Sequence, residues 1–319
     1  MAVQPFDFEA SIVALEERVE EARGRAAEGD EAAGAALARL EAELEQERAR
    51  VYASLTPWQR VKFARAKERP RSLDYVHALC TDFIELHGDR AFGDDKAVVC
   101  GFARLEGRPV AIVGQQKGSD TKENVRRNFG MMHPEGYRKA LRVMRLAEKF
   151  RMPILVLIDT PGAYPGIGAE ERGQAEAIAR NIQEMMGLSV PIICVVIGEG
   201  ASGGALGVGL GDRILMLENA WYCVISPEGC ASILWKDAAK AEQAARALKL
   251  TAQDLMELRV IDGIIPEPLG GAHRDPHTTY ANVASALQNA LAELDALAPE
   301  DLLQARFDKY RAMGEVLEG

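Results

Sequence analysis

A run of small residues follows an apolar segment in the middle of the chain. Residues 191–197 are apolar, and Gly198-Glu-Gly-Ala-Ser-Gly-Gly-Ala205 comes directly after them. A strand that opens into glycines before a helix exposes backbone N–H groups, because the first N–H groups of a helix have no acceptor within it. Such groups bind negative charge, either a phosphate or an oxyanion formed in a reaction. The segment therefore predicts an anion site, and three motifs compete to explain it.

The first motif is the dinucleotide-binding fingerprint G-x-G-x-x-G. Gly198, Gly200 and Gly203 have this spacing after a strand, and Glu218 follows about 20 residues later. The crossover helix that this fold requires would contain further glycines, and each one in a helix interior costs about 0.5–1 kcal/mol relative to alanine. Those glycines disfavour an NAD-dependent dehydrogenase.

The second motif is the nucleophile elbow G-x-S-x-G of serine hydrolases. Ser202 occupies the serine position, and acidic and histidine residues follow in the Ser–Asp–His order of that fold: Asp212, Asp262, His273 and His277. The two histidines lie in a polar, proline-flanked stretch, which is a poor place for a general base. The sequence favours a small serine in a tight turn over a hydrolase.

The third interpretation is an oxyanion hole that needs no side-chain nucleophile. Gly203, Gly204 and Ala205 have almost no side chain, so a carbonyl oxygen can approach their N–H groups closely. Donors that are fixed before the reaction stabilise developing negative charge by several kcal/mol.

A second loop also ends an apolar strand. Asp159-Thr-Pro-Gly begins like the Mg²⁺ switch of a GTPase, but no Gly-x-x-x-x-Gly-Lys-Ser/Thr precedes it, which disfavours a P-loop NTPase. Two prolines and three glycines stiffen and turn residues 159–168. We expect this loop to form one wall of a pocket beside the glycine segment.

Alternating strands and helices position these loops. Residues 8–55 predict two helices that break at Gly29-Asp30 and share a narrow apolar stripe. Residues 97–104 and 109–115 predict a β-hairpin that turns at Glu106-Gly107. Further on, we predict helices at 135–150, 170–186, 227–235 and 276–315, and strands at 154–159, 191–197, 213–217 and 222–225. This alternation indicates an α/β fold with parallel strands and crossovers.

Composition excludes several classes of protein. A net charge of −10 disfavours binding to a nucleic-acid backbone as the main role. No signal peptide or membrane span is predicted, so we expect a cytoplasmic location. The odd number and apolar setting of the five cysteines predict reduced thiols, and the absence of Cys-x-x-Cys pairs predicts no metal site.

Several long strings resemble those of one family, the carboxyltransferase alpha subunit of bacterial acetyl-CoA carboxylase. They are Asp159–Gln174, Gly198–Ala205, Ile225–Trp235, Ile264–Arg274 and Gln116–Gly130. The resemblance covers nearly the whole chain. It implies a crotonase-like α/β fold of repeated ββα units (residues 71–319, with C-terminal helices) after a helical N-terminal segment (residues 1–70).

The resemblance also implies a reaction and partners. A carboxyl group moves from biotin on a separate biotin carboxyl carrier protein to acetyl-CoA, which gives malonyl-CoA for fatty-acid biosynthesis. Biotin carboxylase would load the carrier, and a zinc-bearing beta subunit would complete an α₂β₂ assembly. Such a chain is expected to be inactive alone. The alternative within the same fold is an acyl-CoA-binding subunit without chemistry of its own.

The same resemblance implies roles for particular residues. The N–H groups of Gly204 and Ala205, or of Gly203 and Gly204, would hold the biotin ureido oxygen. The residues expected to line the substrate pocket are Gly162, Ala163, Tyr164, Pro165, Gly166, Glu228 and Gly229. A basic loop comprises Lys117, Lys122, Arg126 and Arg127. It would either steer CoA phosphates or the carrier protein, or be plain solvated surface.

Overall fold

A helical hairpin begins the part of the chain that the structure describes. A computed structural model describes residues 5–314. Helix α1 (Ala10–Ala27) and helix α2 (Glu31–Ala53) are separated by the predicted break, where the Asp30 side chain caps α2 by accepting from the Ala33 N–H at 3.0 Å. The apolar stripe of α1 is buried against α2 through residues such as Ile12 and Leu44. The predicted pair of helices is confirmed.

In the part of the chain that the structure describes, eight strands form one mixed sheet. They are β1 (Cys80–Glu85), β2 (Val98–Leu105), β3 (Arg108–Gln115), β4 (Ile154–Thr160), β5 (Ile192–Ala201), β6 (Arg213–Leu217), β7 (Trp221–Cys223) and β8 (Gly263–Ile265). The order is β1-β2-β3-β4-β5-β6-β8, and β7 pairs with the carboxyl half of β5. The pairs β1–β2 and β2–β3 are antiparallel, whereas every other pair is parallel.

Burial on both faces explains why the central strands are apolar along nearly their whole length. Every residue of β4 and β5 is buried, as expected for parallel strands that have both faces covered by helices. The predicted hairpin between β2 and β3 is confirmed, and Glu106 and Gly107 both have the positive φ that a two-residue hairpin turn requires.

Twelve further α-helices lie within residues 5–314. They are α3 (Pro57–Ala64), α4 (Ser72–Leu79), α5 (Thr121–Arg126), α6 (Pro134–Lys149), α7 (Ile167–Glu171), α8 (Gln174–Gly187), α9 (Ser202–Leu206), α10 (Pro227–Trp235), α11 (Ala241–Ala247), α12 (Ala252–Glu257), α13 (Pro276–Asp295) and α14 (Pro299–Arg311). No helix within residues 5–314 combines the length and the apolarity needed to cross a membrane.

Several predicted boundaries were wrong. The strand expected at 222–225 is β7 at Trp221–Cys223, and the helix expected at 276–315 is divided into α13 and α14. The single helix expected at 170–186 is two helices, because Gly173 lies in the left-handed region (φ +80°) between α7 and α8. The strand expected to end at residue 197 continues to Ala201, so the first glycines of the small-residue segment are strand rather than loop. They pair there with the end of β4 and with β7.

Buried ion pairs attach helices to the sheet. Arg306 of α14 is fully buried and donates to both carboxylate oxygens of Asp212, at 2.8 and 2.7 Å. Arg69, which precedes α4, donates to the Ile197 carbonyl and to both carboxylate oxygens of Glu267. Removing one partner of such a pair would leave an uncompensated buried charge.

Candidate functional site

The turn from β5 into α9 is sharp and places small residues at the start of the helix. Ser202, the first residue of α9, has a φ of +58°, which is uncommon for a residue with a side chain. Gly203 and Gly204 follow at positions whose N–H groups have no acceptor inside the helix. Ala205 is the first residue that can donate to a carbonyl four residues back. Two glycine N–H groups are therefore available at the N-terminal end of α9.

The predicted pocket wall touches this turn directly. A Cβ atom built on Gly204 would lie 2.2 Å from the carbonyl carbon of Gly162 and 2.5 Å from the nitrogen of Ala163. Real Cβ atoms do not come so close to backbone, so Gly204 must be a glycine for the two loops to meet. The structure thus brings residues 162–163 and residue 204 together, as the sequence predicted.

Buried side chains donate hydrogen bonds to two carbonyl groups of α9 and its C-terminal cap. The Gln115 side-chain amide donates to the Gly204 carbonyl at 2.7 Å, and its oxygen accepts from the Asp159 N–H at 3.2 Å. Asn181 donates to the Gly207 carbonyl at 2.9 Å. Residues of β3 and α8 therefore fix the peptides that follow Gly204 and Gly207, and with them the position of this short helix. Donors that are held in this way need little reorganisation when charge develops.

Hydrogen bonds shape the loop that carries Gly162. The Thr160 hydroxyl donates to the Gly162 carbonyl at 2.7 Å and accepts from the Gly162 N–H at 3.2 Å. The Tyr164 ring stacks on His133 with 4.0 Å between centroids, and the Gln174 amide donates to the Tyr164 carbonyl. Pro165 and Gly166 complete the turn into α7. These contacts define the shape of the loop.

Charged side chains join the ends of three parallel strands. Lys117 Nζ lies 2.6 Å from Asp159 Oδ1 and 2.6 Å from Glu199 Oε2. Arg65, directly after α3, donates to the other oxygen of Glu199 at 2.6 Å and to Glu228 at 2.5 Å. Sequence reasoning missed this network. One signal could have found it, since Lys117, Asp159 and Glu199 each follow or end an apolar strand.

Electrostatics keep this network ionised. Burial alone would raise the pKa of Glu199, but the charges of Lys117 and Arg65 outweigh burial and hold that pKa below its ordinary value. Burial likewise opposes the charge of Lys117, yet Asp159 and Glu199 raise its pKa above the ordinary value. Lys117 is therefore a fixed cation, and nothing in these shifts prepares it to act as a base.

Two predicted pocket residues open helix α10. Glu228 pairs with Arg65, and the Gly229 N–H donates to the Ser226 hydroxyl at 3.2 Å as part of the helix cap. The N-terminus of α10 therefore caps itself, and the Gly229 N–H is already occupied.

The predicted basic loop does not form a single surface. Lys117 turns inward to the carboxylates, and Arg127 binds Glu123 and the Lys96 carbonyl. Lys122 and Arg126 are exposed on the surface of α5, whereas Lys117 is half-buried.

An apolar cavity of about 420 Å³ opens beside the start of α9. Ser202 and Gly203 lie at one side of it, and the opposite lining includes Tyr222, Leu255, Val260 and Tyr310. Concave apolar sites with a few polar donors are typical places for small organic groups. The cavity and the free glycine N–H groups together could hold a compact group that carries a partly negative oxygen.

The structure does not assemble the two competing motifs. Asp212 is bound by Arg306, while His273 packs its ring against Phe63, and both His273 ring nitrogens lack a hydrogen-bond partner. No Ser–His–Asp arrangement therefore involves Ser202 within residues 5–314. Helix α9, with five residues, is too short to be the crossover helix of a dinucleotide fold. The same residues hold no cluster of three metal-binding side chains.

Comparison with protein sequences identifies close relatives. Residues 5–314 match the family model described as acetyl co-enzyme A carboxylase carboxyltransferase-like. The chain is 56% identical over 312 residues to the acetyl-coenzyme A carboxylase carboxyl transferase subunit alpha of Geobacter metallireducens, which covers 98% of each chain. It is 54% identical over 314 residues to the protein of the same name from Thermus thermophilus, with 98% and 99% of the chains covered.

Solved structures with the same fold are more distant in sequence. A Pseudomonas malonate decarboxylase hetero-tetramer, determined with coenzyme A, contains a chain with a TM-score of 0.59 and 18% identity. The match covers 76% of this chain and 95% of that one. Transcarboxylase 12S gives a TM-score of 0.55 at 23% identity, covering 69% of this chain and 41% of that one. These likenesses confirm the predicted crotonase-like α/β fold.

Proposed function

Because this chain belongs to the acetyl-coenzyme A carboxylase carboxyltransferase family, as an alpha subunit, we propose that the N–H groups of Gly203 and Gly204 form the oxyanion hole of its reaction. The chain is thus one subunit of a biotin-dependent transferase that serves fatty-acid biosynthesis. In that reaction the carboxyl group passes from biotin to acetyl-CoA and gives malonyl-CoA.

One observation carries the assignment of the hole. The N–H groups of Gly203 and Gly204 have no acceptor inside α9, while buried side chains bind the carbonyl groups at its other end. Of the two registers that the sequence allows, this pair is favoured over Gly204 with Ala205, because Gly203 lines the apolar cavity while Ala205 is fully buried. A single donor of this kind contributes about 3–4 kcal/mol to transition-state stabilisation.

Biotin supplies a ureido group whose oxygen takes up negative charge as the carboxyl group leaves. The residues present fit such a group, since Gly203 lines a cavity that is mostly apolar. In this arrangement the chain's residues would bind and orient the group. Gly203 and Gly204 would donate to the charged oxygen, the loop at 162–166 would cover the side of Gly204 that it touches, and Gln115 would hold the peptide after Gly204.

The ion-pair network around Lys117 helps to hold the two pocket loops in position. Lys117 ties the end of β4 to β5, and both strands lead directly into the two loops that form the pocket. Since its ammonium group is paired with two carboxylates, we assign it to positioning rather than to proton transfer.

The remaining parts of the machinery belong to other chains in this proposal. A beta subunit would carry the zinc site and a second oxyanion hole for the thioester, in an α₂β₂ assembly. Biotin would arrive on the carrier protein, after loading by biotin carboxylase. A cytoplasmic location is part of the same proposal.

Carboxyl transfer run in reverse tests the proposal. Malonyl-CoA and biocytin are supplied to the purified chain, to the beta subunit, and to the two together, and acetyl-CoA formation is followed. We expect turnover only with both subunits present. Full turnover by this chain alone would overturn the shared active site, and binding of acyl-CoA without turnover in the mixture would favour the non-catalytic alternative.

A further inference from the structure

A basic groove lies on the helices that pack behind the candidate site. Its volume is about 730 Å³, and α6, α8 and the chain segment at residues 89–90 line it. The lining contains two acidic residues, Asp89 and Glu176, against six basic ones, although the chain as a whole has a net charge of −10. The basic residues are Arg90, Arg138, Arg142, Arg145, Lys149 and Arg180.

The spacing of these residues on α6 is unfavourable for the helix itself. Positions 138, 142, 145 and 149 are four, three and four residues apart, so four positive charges share one face. Like charges at these spacings destabilise a helix. Solubility does not require such a stripe, because alternating charges would serve it at no such cost. A ligand that neutralises the stripe explains the arrangement.

Two of the guanidinium groups are held in place. Arg138 donates to Asp89 Oδ2 at 2.7 Å and to the Arg172 carbonyl at 3.2 Å. Arg142 donates to the carbonyl groups of Gly88 and His87, at 3.0 and 3.2 Å. Backbone carbonyls carry no net charge, so Arg142 keeps its positive charge while its position is fixed. Arginines held in this way are prepared to bind an anion.

The other cations are only partly compensated. Arg145 and Arg180 share one carboxylate, Glu184. Within the described residues, Arg90 and Lys149 lie within salt-bridge distance of no carboxylate. Several positive charges therefore face the groove without a counter-charge from this part of the chain, which is the electrostatic basis for binding a polyanion.

The size and lining of the groove favour a small anionic molecule as its ligand. Its volume lies in the range of small-molecule sites, and Leu141, Leu146 and Ala177 provide an apolar floor between the basic walls. The planar fork of arginine matches a phosphate better than lysine does. The acidity of the whole chain disfavours a long nucleic acid, whose backbone would extend beyond the groove.

We propose that the groove between α6 and α8 binds a small molecule that carries a diphosphate group and an adjoining apolar or aromatic part. The phosphates would lie along the cations of α6, and the other part on the apolar floor. This site is separate from the start of α9. Asn181 connects the two, since it lines the groove and donates to the Gly207 carbonyl at the far end of α9.

Calorimetric titration of the full-length chain with inorganic diphosphate and with uridine diphosphate tests the proposal. We expect both to bind at low salt, and uridine diphosphate more tightly, because only it reaches the apolar floor. The double variant Arg145→Gln, Lys149→Gln should weaken binding by about tenfold for each charge removed. The double variant Lys122→Gln, Arg126→Gln, which removes two exposed charges from α5, is the matched control and should bind like the parent chain.

Three outcomes would overturn the site. They are no binding of either probe, equal weakening in the two double variants, and loss of binding in Gly204→Ala, which would place the ligand in the pocket at α9 instead. If Arg145→Gln, Lys149→Gln unfolds, Arg90→Gln on the opposite wall serves the same purpose, because its side chain is exposed. If the chain binds the two probes but shows no carboxyl transfer, this proposal stands while the proposed function fails. The two proposals can therefore be tested separately.

Discussion

Gln115 reaches across the end of the sheet and donates a hydrogen bond of 2.7 Å to the carbonyl oxygen of Gly204. Both partners are buried, and the same side chain accepts from the Asp159 N–H. One amide thus connects β3, the end of β4 and the short helix of the candidate hole. The peptide that joins Gly204 to Ala205 is therefore oriented by a residue that does not line the cavity.

Replacing Gln115 by leucine should lower kcat and leave KM nearly unchanged. The Gly204 carbonyl and the Asp159 N–H lose their partner, which costs about 1–3 kcal/mol of stability for each buried group left unsatisfied. Steady-state kinetics of the assembled enzyme and urea unfolding measure the two effects. Gln116→Leu is the matched control, because Gln116 binds the Leu73 N–H instead. An equal fall in kcat in both variants would assign Gln115 a purely structural role.

Alanine should be tolerated at residue 203 and not at residue 204. A Cβ at Gly203 meets the Ile178 side chain at an ordinary 3.5 Å, whereas one at Gly204 meets the Gly162 backbone at 2.2 Å. We expect Gly204→Ala to lose activity and about 1–3 kcal/mol of stability, since the loops must move apart. Both variants are compared by the malonyl-CoA assay and by thermal unfolding. Full activity in Gly204→Ala would contradict the assignment of the hole.

Lys117→Met should destabilise the fold strongly at neutral pH. The substitution leaves the Asp159 and Glu199 carboxylates together without their shared cation, and breaking a buried pair costs about 3–5 kcal/mol. Because Lys117 helps to hold the pKa of Glu199 below its ordinary value, the parent chain loses this stabilisation as the pH falls, and the difference between the two proteins should shrink. Urea unfolding over a range of pH tests this. Lys122→Met, on the surface of α5, should change stability by less than about 0.5 kcal/mol.

His273 should make the fold less stable in mild acid. Burial, together with Arg69 and Arg274, lowers the pKa of His273 from 6.5 to about 4. The unfolded chain therefore takes up this proton at a higher pH than the folded chain, so stability falls as the pH drops through that interval, by about 3 kcal/mol for this group. The loss should be smaller in His273→Leu, as measured by unfolding at both ends of the interval. Identical pH profiles in the two proteins would refute it.

Ser202→Ala should leave carboxyl transfer nearly unchanged. The hydroxyl has no histidine partner within the described residues, and its neighbours supply the reacting groups through their backbone. The malonyl-CoA assay on the assembled enzyme decides the matter. A loss of several orders of magnitude would restore the serine as a nucleophile.

Local pattern was sufficient for much of the fold and for the position of the pocket. The hairpin of β2 and β3, the fully apolar strands β4 and β5, and helix α10 all follow from spacing, turns and caps between neighbours in sequence. The meeting of residues 162 and 204 was predictable because both loops leave adjacent parallel strands at the same edge.

Long-range charge pairing was not predictable in the same way. Arg65 and Glu199 are 134 residues apart, and nothing near either residue indicates the other. The sequence grouped Lys117 with its basic neighbours, although its side chain turns to carboxylates on two other strands. The strand β8 has three residues and is too brief to show a periodic pattern. The division at residue 70 stays a prediction, although Arg65 and Arg69 on one side of it bind partners on the other.

The close approach of Gly204 to the Gly162–Ala163 peptide has a consequence for natural variation. The two backbone segments can be in contact because residue 204 has no side chain. A substitution at one position is therefore constrained by the residue at the other. Among relatives, a larger residue at position 204 should occur only together with a lengthened or rerouted loop at 160–166. Pairs of changes at these two places, rather than single ones, are therefore the variants that selection can accept.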